Sequence, residues 1–201
     1  MLSGITKCWV TLAALANPTY SARGNSMNKS IEKKASKIKL LILDVDGVLT
    51  DGSIYYHADA THSKAFNVPD GLGMKMLMRS GVTIAIISGK SSLATKLRLE
   101  ELGVKHIYLG HENKNAIFAS LKSELKISNE AIACVGDDIP DVAILRQVGL
   151  GIAVKNATSQ AKKAAAIITK NSGGKGAVRE VCELIMKAQK TLKAEEARYF
   201  S

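Results

Sequence analysis

Leu40-Leu41-Ile42-Leu43-Asp44-Val45-Asp46-Gly47-Val48-Leu49-Thr50-Asp51-Gly52 is the stretch that decides the fold. Four consecutive aliphatic residues give no wet face, so Leu40 to Leu43 read as a strand buried on both sides, as in the middle of a parallel sheet. Two carboxylates two residues apart follow at once, and a bend at Asp44 would turn both into the crevice outside the strand's carboxyl end. An ionised pair there repels itself unless a cation intervenes. A hard Mg²⁺ prefers oxygen ligands, neutralises the pair and leaves one carboxylate oxygen free as a nucleophile. Taken alone, Asp-x-Asp-Gly reads equally as a turn with two solvated acids.

Outward from this stretch the pattern is regular. Short apolar runs at 39–43, 82–87, 106–109, 131–135, 151–154 and 166–169 alternate with helical stretches near 71–79, 91–102, 113–125, 140–147, 158–164 and 175–193. That alternation predicts an α/β fold, a Rossmann-like parallel sheet flanked by helices. Ser53 to His57 and His62 to Phe66, separated by Ala58-Asp59-Ala60-Thr61, predict a β-hairpin inserted after the first strand. No other insertion is long enough for a cap domain.

Three more strand ends carry polar residues. Ser88-Gly89 can offer a hydroxyl and backbone N–H groups to a phosphate, or cap a helix. Lys114 opens a helix, where a solvated lysine is the plain alternative. Gly136-Asp137-Asp138-Ile139-Pro140-Asp141 puts three acids in five residues; Asp137 can complete a Mg²⁺ site with Asp44, while Asp138 and Asp141 can hold waters or fix Lys114.

Composition bounds the rest. The 201 residues carry 28 Lys and Arg against 18 Asp and Glu, a formal charge of +10. Seven basic residues and one acidic lie in 1–39, so +6 belongs to that segment and the remainder carries only +4. With 4% aromatic residues to stack on bases, the chain does not read as a nucleic-acid binder; an anionic small molecule fits it as well. Cys8, Cys134 and Cys182 are odd in number and unpaired in spacing, which points to a reducing compartment, the cytoplasm. No apolar run reaches the ~18 residues of a membrane span. Lys7 followed by Cys8 to Ala16 imitates a short signal peptide, and the alternative is an unstructured leader ahead of a start at Met27. The organisation expected is a disordered leader over 1–37 and one catalytic domain over 38–201.

Each signal is modest, but their order is specific: Asp-x-Asp, Ser, Lys and Gly-Asp-Asp-x-x-Asp at successive strand ends resemble the haloacid dehalogenase superfamily of phosphohydrolases. Gly52 and the hairpin, Phe66-Asn67-Val68-Pro69-Asp70-Gly71-Leu72-Gly73, and Gly173-Gly174-Lys175-Gly176-Ala177-Val178-Arg179-Glu180-Val181-Cys182 extend the likeness over about 38–190. The whole set is similar to the capless 3-deoxy-D-manno-octulosonate 8-phosphate phosphatase family, which serves lipopolysaccharide biosynthesis. The resemblance implies that Asp44 is the nucleophile and Asp46 the general acid and base, with Ser88 and Lys114 on the phosphate. It implies Mg²⁺ on Asp44, Asp137 and the carbonyl of Asp46, and sugar contacts from Asp46, Asn67, Val68, Pro69, Asp70, Gly71, Lys75, Lys90, Arg98 and Lys114. It also implies an acidic sugar phosphate as substrate and a homotetramer whose hairpins and glycine-rich tails wall the neighbouring sites, with neither membrane nor nucleic acid as partner. The tail segment has its own plain alternative, a turn before the last helix with Arg179 solvated. Lys90 replaces the family's usual Arg, keeping charge but losing its planar fork, and Pro69 stands where a basic residue is common. A nonulosonate 9-phosphate phosphatase and a non-catalytic assembly module are the rival readings.

Overall fold

The computed structural model describes residues 28–200. α1 (Lys29–Ala35) leads into β1 (Leu40–Leu43), and a short hairpin of β2 (Tyr55–Tyr56) and β3 (His62–Ser63) follows. Then come α2 (Val68–Arg79), β4 (Thr83–Ser88), α3 (Leu93–Leu102), β5 (His106–Leu109), α4 (Lys114–Leu125) and β6 (Ile132–Gly136). α5 (Ile139–Gln147), β7 (Leu150–Ala153), α6 (Ser159–Ala164), β8 (Ile167–Ile168), α7 (Ala177–Ala188) and α8 (Leu192–Ala197) complete the order. The six longer-range strands form one parallel sheet in the order β5-β4-β1-β6-β7-β8, and β2 pairs only with β3, antiparallel.

β1 lies between β4 and β6, with Leu43 opposite Ile86 on one side and Val135 on the other. The chain therefore leaves β1 in one direction through β4 and β5, then returns to the far side at β6. This is the switch point at which open α/β sheets form their crevice. All four residues of β1 and all five of β6 are buried, as strands covered on both faces require. α2 and α7 pack together on the sheet, burying Met74, Leu77, Val178, Val181 and Ile185.

The six expected sheet strands occur within one residue of their predicted ends, and three local differences stand out. α2 begins at Val68 rather than 71, because Asn67 caps it by accepting from the amide of Asp70 and Pro69 tolerates the first turn. The single helix expected over 175–193 is broken into α7 and α8, with Lys190 at φ 61° between them. The hairpin pairs over two residues per strand, and Tyr55 and Tyr56 are largely exposed.

Residues 29–35 of the expected leader form α1, which packs against α7 with Ala35 buried, as is Ile38 just beyond the leader. Two apolar residues among lysines are too weak a stripe to show this in the sequence. The signal-peptide-like segment and Met27 lie outside the described residues. No helix among the described residues is long and apolar enough to cross a membrane.

Candidate active site

Four loops meet at the carboxyl ends of β1, β4, β5 and β6. The Asp44 amide donates to the Val135 carbonyl, which carries the sheet ladder one residue past β1 and places Asp44 level with the end of β6. Asp44 is 8% exposed, and its carboxylate pairs at 2.8 Å with the ammonium of Lys114, the first residue of α4. Lys114, itself 6% exposed, also donates at 2.8 Å to Asp141 Oδ1.

The acidic segment after β6 divides its work. Asp138 caps α5, its Oδ1 accepting from the Ile139 amide at 2.8 Å. Asp141 folds back so that its Oδ2 accepts from the amides of Asp137 and Asp138, closing a reciprocal capping box. That leaves the Asp137 side chain turned toward Asp44, and carboxylate oxygens of Asp44, Asp137 and Asp141 lie within 4.8 Å of one another. Two glycines permit the approach. A methyl group on Gly136 would run into the Asp141 side chain, and one on Gly47, at φ +86°, would overlap the Asp137 carboxylate.

Three carboxylates face one ammonium, so the cluster is short of positive charge. Burial, then repulsion from Asp141, pushes the Asp44 carboxyl up to about 6 despite Lys114. Burial, then Asp44, Asp141 and Asp138, pushes Asp137 up to about 7. Although burial opposes its charge, Asp44 and Asp141 hold the Lys114 ammonium well above the usual lysine range. A divalent cation with oxygen ligands fits this donor set. Asp141 already gives Oδ1 to Lys114 and Oδ2 to two amides, so Asp44 and Asp137 are the carboxylates with free lone pairs for it.

Ser88 closes the third side. It is buried at the end of β4, beside β1, and its Oγ accepts from the Lys90 amide. Ser92, not Ser88, occupies the N-cap position of α3. Across the crevice Gly173 and Gly174 press on the backbone of Gly47 to Asp51, and the Gly174 amide donates to the Val48 carbonyl. The glycine pair thus braces the β1 loop of its own chain.

The residues expected on the sugar are less concentrated. Asp70 is 1% exposed, and its oxygens accept from the Gly176 and Arg179 amides, so it anchors the start of α7. Gly71 is overlain by the Arg98 guanidinium, which pairs with Glu101. Val68 is exposed, and Pro69 lines a groove with Ile31, Ile168 and Leu184 on the α7 side. Lys75 borders Met78, Arg79, Leu102 and Gly103, toward the carboxyl ends of α2 and α3. Lys90 is exposed on the rim. Arg179 is not solvated: its Nε donates to Glu183 at 2.7 Å.

Sequence reasoning missed Lys64, whose ammonium lies 2.7 and 3.0 Å from the two carboxylate oxygens of Asp46. A lysine two residues ahead of Phe66 in a polar hairpin carries no signal of a partner 18 positions away.

Residues 106–181 match the family of haloacid dehalogenase-like hydrolases. The 3-deoxy-D-manno-octulosonate 8-phosphate phosphatase KdsC of Escherichia coli strain K12 is 44% identical over 156 residues, 78% of this chain and 83% of that protein. The chain belongs to the 3-deoxy-D-manno-octulosonate 8-phosphate phosphatase family of haloacid dehalogenase-like hydrolases. Two solved structures of this family frame the site. The enzyme of Moraxella catarrhalis, in complex with magnesium, phosphate and the sugar acid, superposes with a TM-score of 0.84 at 45% identity, covering 87% of this chain and 99% of that one. The cobalt-bound enzyme of Haemophilus influenzae gives 0.75 at 38% identity, covering 78% of this chain and 92% of that one. Family membership makes the chain a phosphatase, and Asp44 and Asp137, beside Asp141, are carboxylates that could hold a metal ion.

Proposed function

We propose that this phosphatase hydrolyses 3-deoxy-D-manno-octulosonate 8-phosphate to the free sugar acid and inorganic phosphate, in the cytoplasmic supply of sugar for lipopolysaccharide. The observation that carries the reading is the buried Asp44–Lys114–Asp141 chain of contacts beside Asp137 at the sheet's switch point. It is supported by the magnesium, phosphate and sugar acid held by the relative from Moraxella catarrhalis.

Asp44 attacks the phosphorus, the bond to the sugar oxygen breaks, and Asp46 gives that oxygen a proton. Water then attacks the phosphorus of the aspartyl-phosphate, Asp46 takes the water's proton, and the bond to Asp44 breaks. Phosphoryl transfer asks mainly for positioning and for charge neutralisation. Lys114 holds Asp44 in place and neutralises phosphate oxygens, and Ser88 with the adjacent backbone amides donates to them. Asp44, Asp137 and the Asp46 carbonyl would hold Mg²⁺, which when bound neutralises the phosphoryl group's charge. Lys90 and Arg98, both cationic, are assigned to the sugar carboxylate, with Asn67, Val68, Pro69 and Gly71 in the remaining contacts; Asp70, whose oxygens the start of α7 takes up, and Lys75, which lies toward the carboxyl ends of α2 and α3, do not stay in that set.

Among the described residues no cap covers this crevice, and the hairpin presents Tyr55 and Tyr56 outward at 57% and 77% exposure. A homotetramer built on these hairpins accounts for both features. Light scattering should give four copies; a monomer of full activity would contradict it. Side-by-side assays with Mg²⁺ test the substrate. We expect the eight-carbon sugar phosphate to be turned over faster and EDTA to stop the reaction, whereas preference for a nonulosonate 9-phosphate would overturn the assignment.

A further inference from the structure

We infer that Lys64 is a positioning residue for catalysis: its ammonium fixes the Asp46 carboxylate, so that the hairpin, not the β1 loop alone, sets the aim of the acid and base. The inference rests on the role given to Asp46 above. Around Lys64 the hairpin is an exposed arm, from Ser53 to Ser63 wet on nearly every residue. Its polar groups otherwise serve themselves: His57 Nε2 meets Ser63 Oγ at 2.8 Å, and Asp59 accepts from the amide and hydroxyl of Thr61. Lys64 alone reverses this habit. Its side chain is 2% exposed and brings the ammonium to Asp46, donating to Oδ2 at 3.0 Å and lying 2.7 Å from Oδ1, which accepts no hydrogen bond; the Asp46 side chain is 23% exposed.

Burying a lysine stem to reach a half-open carboxylate is an expensive way to anchor a hairpin, because both groups give up water for one contact. The arrangement gains its value by removing freedom from Asp46. A carboxylate on a glycine-flanked loop has two side-chain torsions to settle, and a proton donor misplaced by about 1 Å loses on the order of 10²-fold in rate. Asp44 needs no such help, since Lys114 already holds it on the sheet. Lys64 therefore acts on one carboxylate of the Asp-x-Asp pair and Lys114 on the other.

The test separates the two chemical steps. p-Nitrophenyl phosphate has a leaving group that departs without a proton, so phosphorylation of Asp44 does not need Asp46, whereas breakdown of the aspartyl-phosphate does. With Lys64→Met we expect a rapid-mixing burst of nitrophenolate at the wild-type rate, followed by turnover slowed about 10²-fold, and on the sugar phosphate a similar loss in kcat with KM nearly unchanged. Lys64→Arg, which can still pair with Asp46, should recover most of the loss. A merely structural role would slow the burst in step with turnover or raise KM with kcat preserved, and either result overturns the inference, as does turnover within twofold of wild type. If the Met variant does not fold, Lys64→Gln takes its place: a wild-type burst with impaired turnover supports the inference, and loss of both steps together, or turnover within twofold of wild type, overturns it. A wild-type protein without phosphatase activity would instead refute the parent reading, so the two failures are distinct.

Discussion

The phosphate side and the sugar side of the crevice are built on different principles. On the phosphate side Asp44, Lys114, Asp137 and Asp141 are fixed by sheet register, helix starts and glycines that let side chains nearly touch. On the sugar side Asn67 and Asp70 are occupied in starting α2 and α7, Arg98 lies against Gly71 and Glu101, and Lys90 stands in solvent. The acidic cluster sits on the rigid switch point, whereas the set proposed for the sugar sits on helix ends that, in the proposed tetramer, a neighbouring copy would complete. The difference is that one subunit assembles the whole acidic cluster, while its described residues form no closed wall around the proposed sugar side.

The largest effect should come from removing the cation that holds the phosphate side together. Lys114→Met leaves Asp44 and Asp141 buried without their partner, so we expect a loss of about 3–5 kcal/mol in stability. Urea unfolding in EDTA measures it, and an unchanged midpoint would mean the cluster is not strained by its charge. Gly47→Ala comes next. The new methyl must enter both a left-handed backbone and the space of the Asp137 carboxylate, and we expect Mg²⁺ affinity to fall by tenfold or more, on the scale of disturbed metal-site neighbours. Titration calorimetry checks this, and Gly81→Ala, also at positive φ but with open space around it, is the control that isolates backbone strain.

The third prediction concerns pH. In the metal-free protein Asp44 and Asp137 have pKa values raised from 3.8 to about 6 and about 7, so the folded state binds more protons than the unfolded state across this interval. Stability of the metal-free protein is therefore greatest below about pH 4 with respect to these two groups, and it declines as pH rises through 6 to 7. Mg²⁺ reverses the decline by favouring the ionised carboxylates. The gain in melting temperature on adding Mg²⁺ should be larger at pH 8 than at pH 5.5, and equal gains would contradict the shifts. The smallest effect should fall on the sugar side: Lys90→Ala is expected to raise KM for the sugar phosphate severalfold with little change in kcat, as for uniform binding. A loss in kcat of the size expected on the phosphate side would erase the distinction between the two sides.

Much of this architecture was legible in the sequence. Apolar runs bounded by polar residues mark the strands closely, because a strand buried on both faces has no other composition. The proposed phosphate side was legible for a related reason: Asp44 and Asp137 follow their strands directly and Ser88 ends its own, so strand order places them together. What escaped depends on contacts between distant segments. Asp70 reads as a sugar contact until α7 arrives from more than a hundred residues away to take its oxygens. Lys64 reads as a solvated hairpin lysine until the arm folds over Asp46. α1 was lost to the leader because its burial rests on little more than Ala35, and the break at Lys190 carries no glycine or proline to announce it.

The central claim is that Asp44 carries the phosphoryl group between substrate and water. Acid quenching within the first turnover, followed by mass spectrometry of the proteolytic fragment from the β1 loop, tests it directly. The account predicts a phosphoryl adduct on Asp44 that decays as inorganic phosphate appears and is absent from Asp44→Asn, which should be inactive. An adduct on another residue, or undiminished turnover by Asp44→Asn, would contradict it.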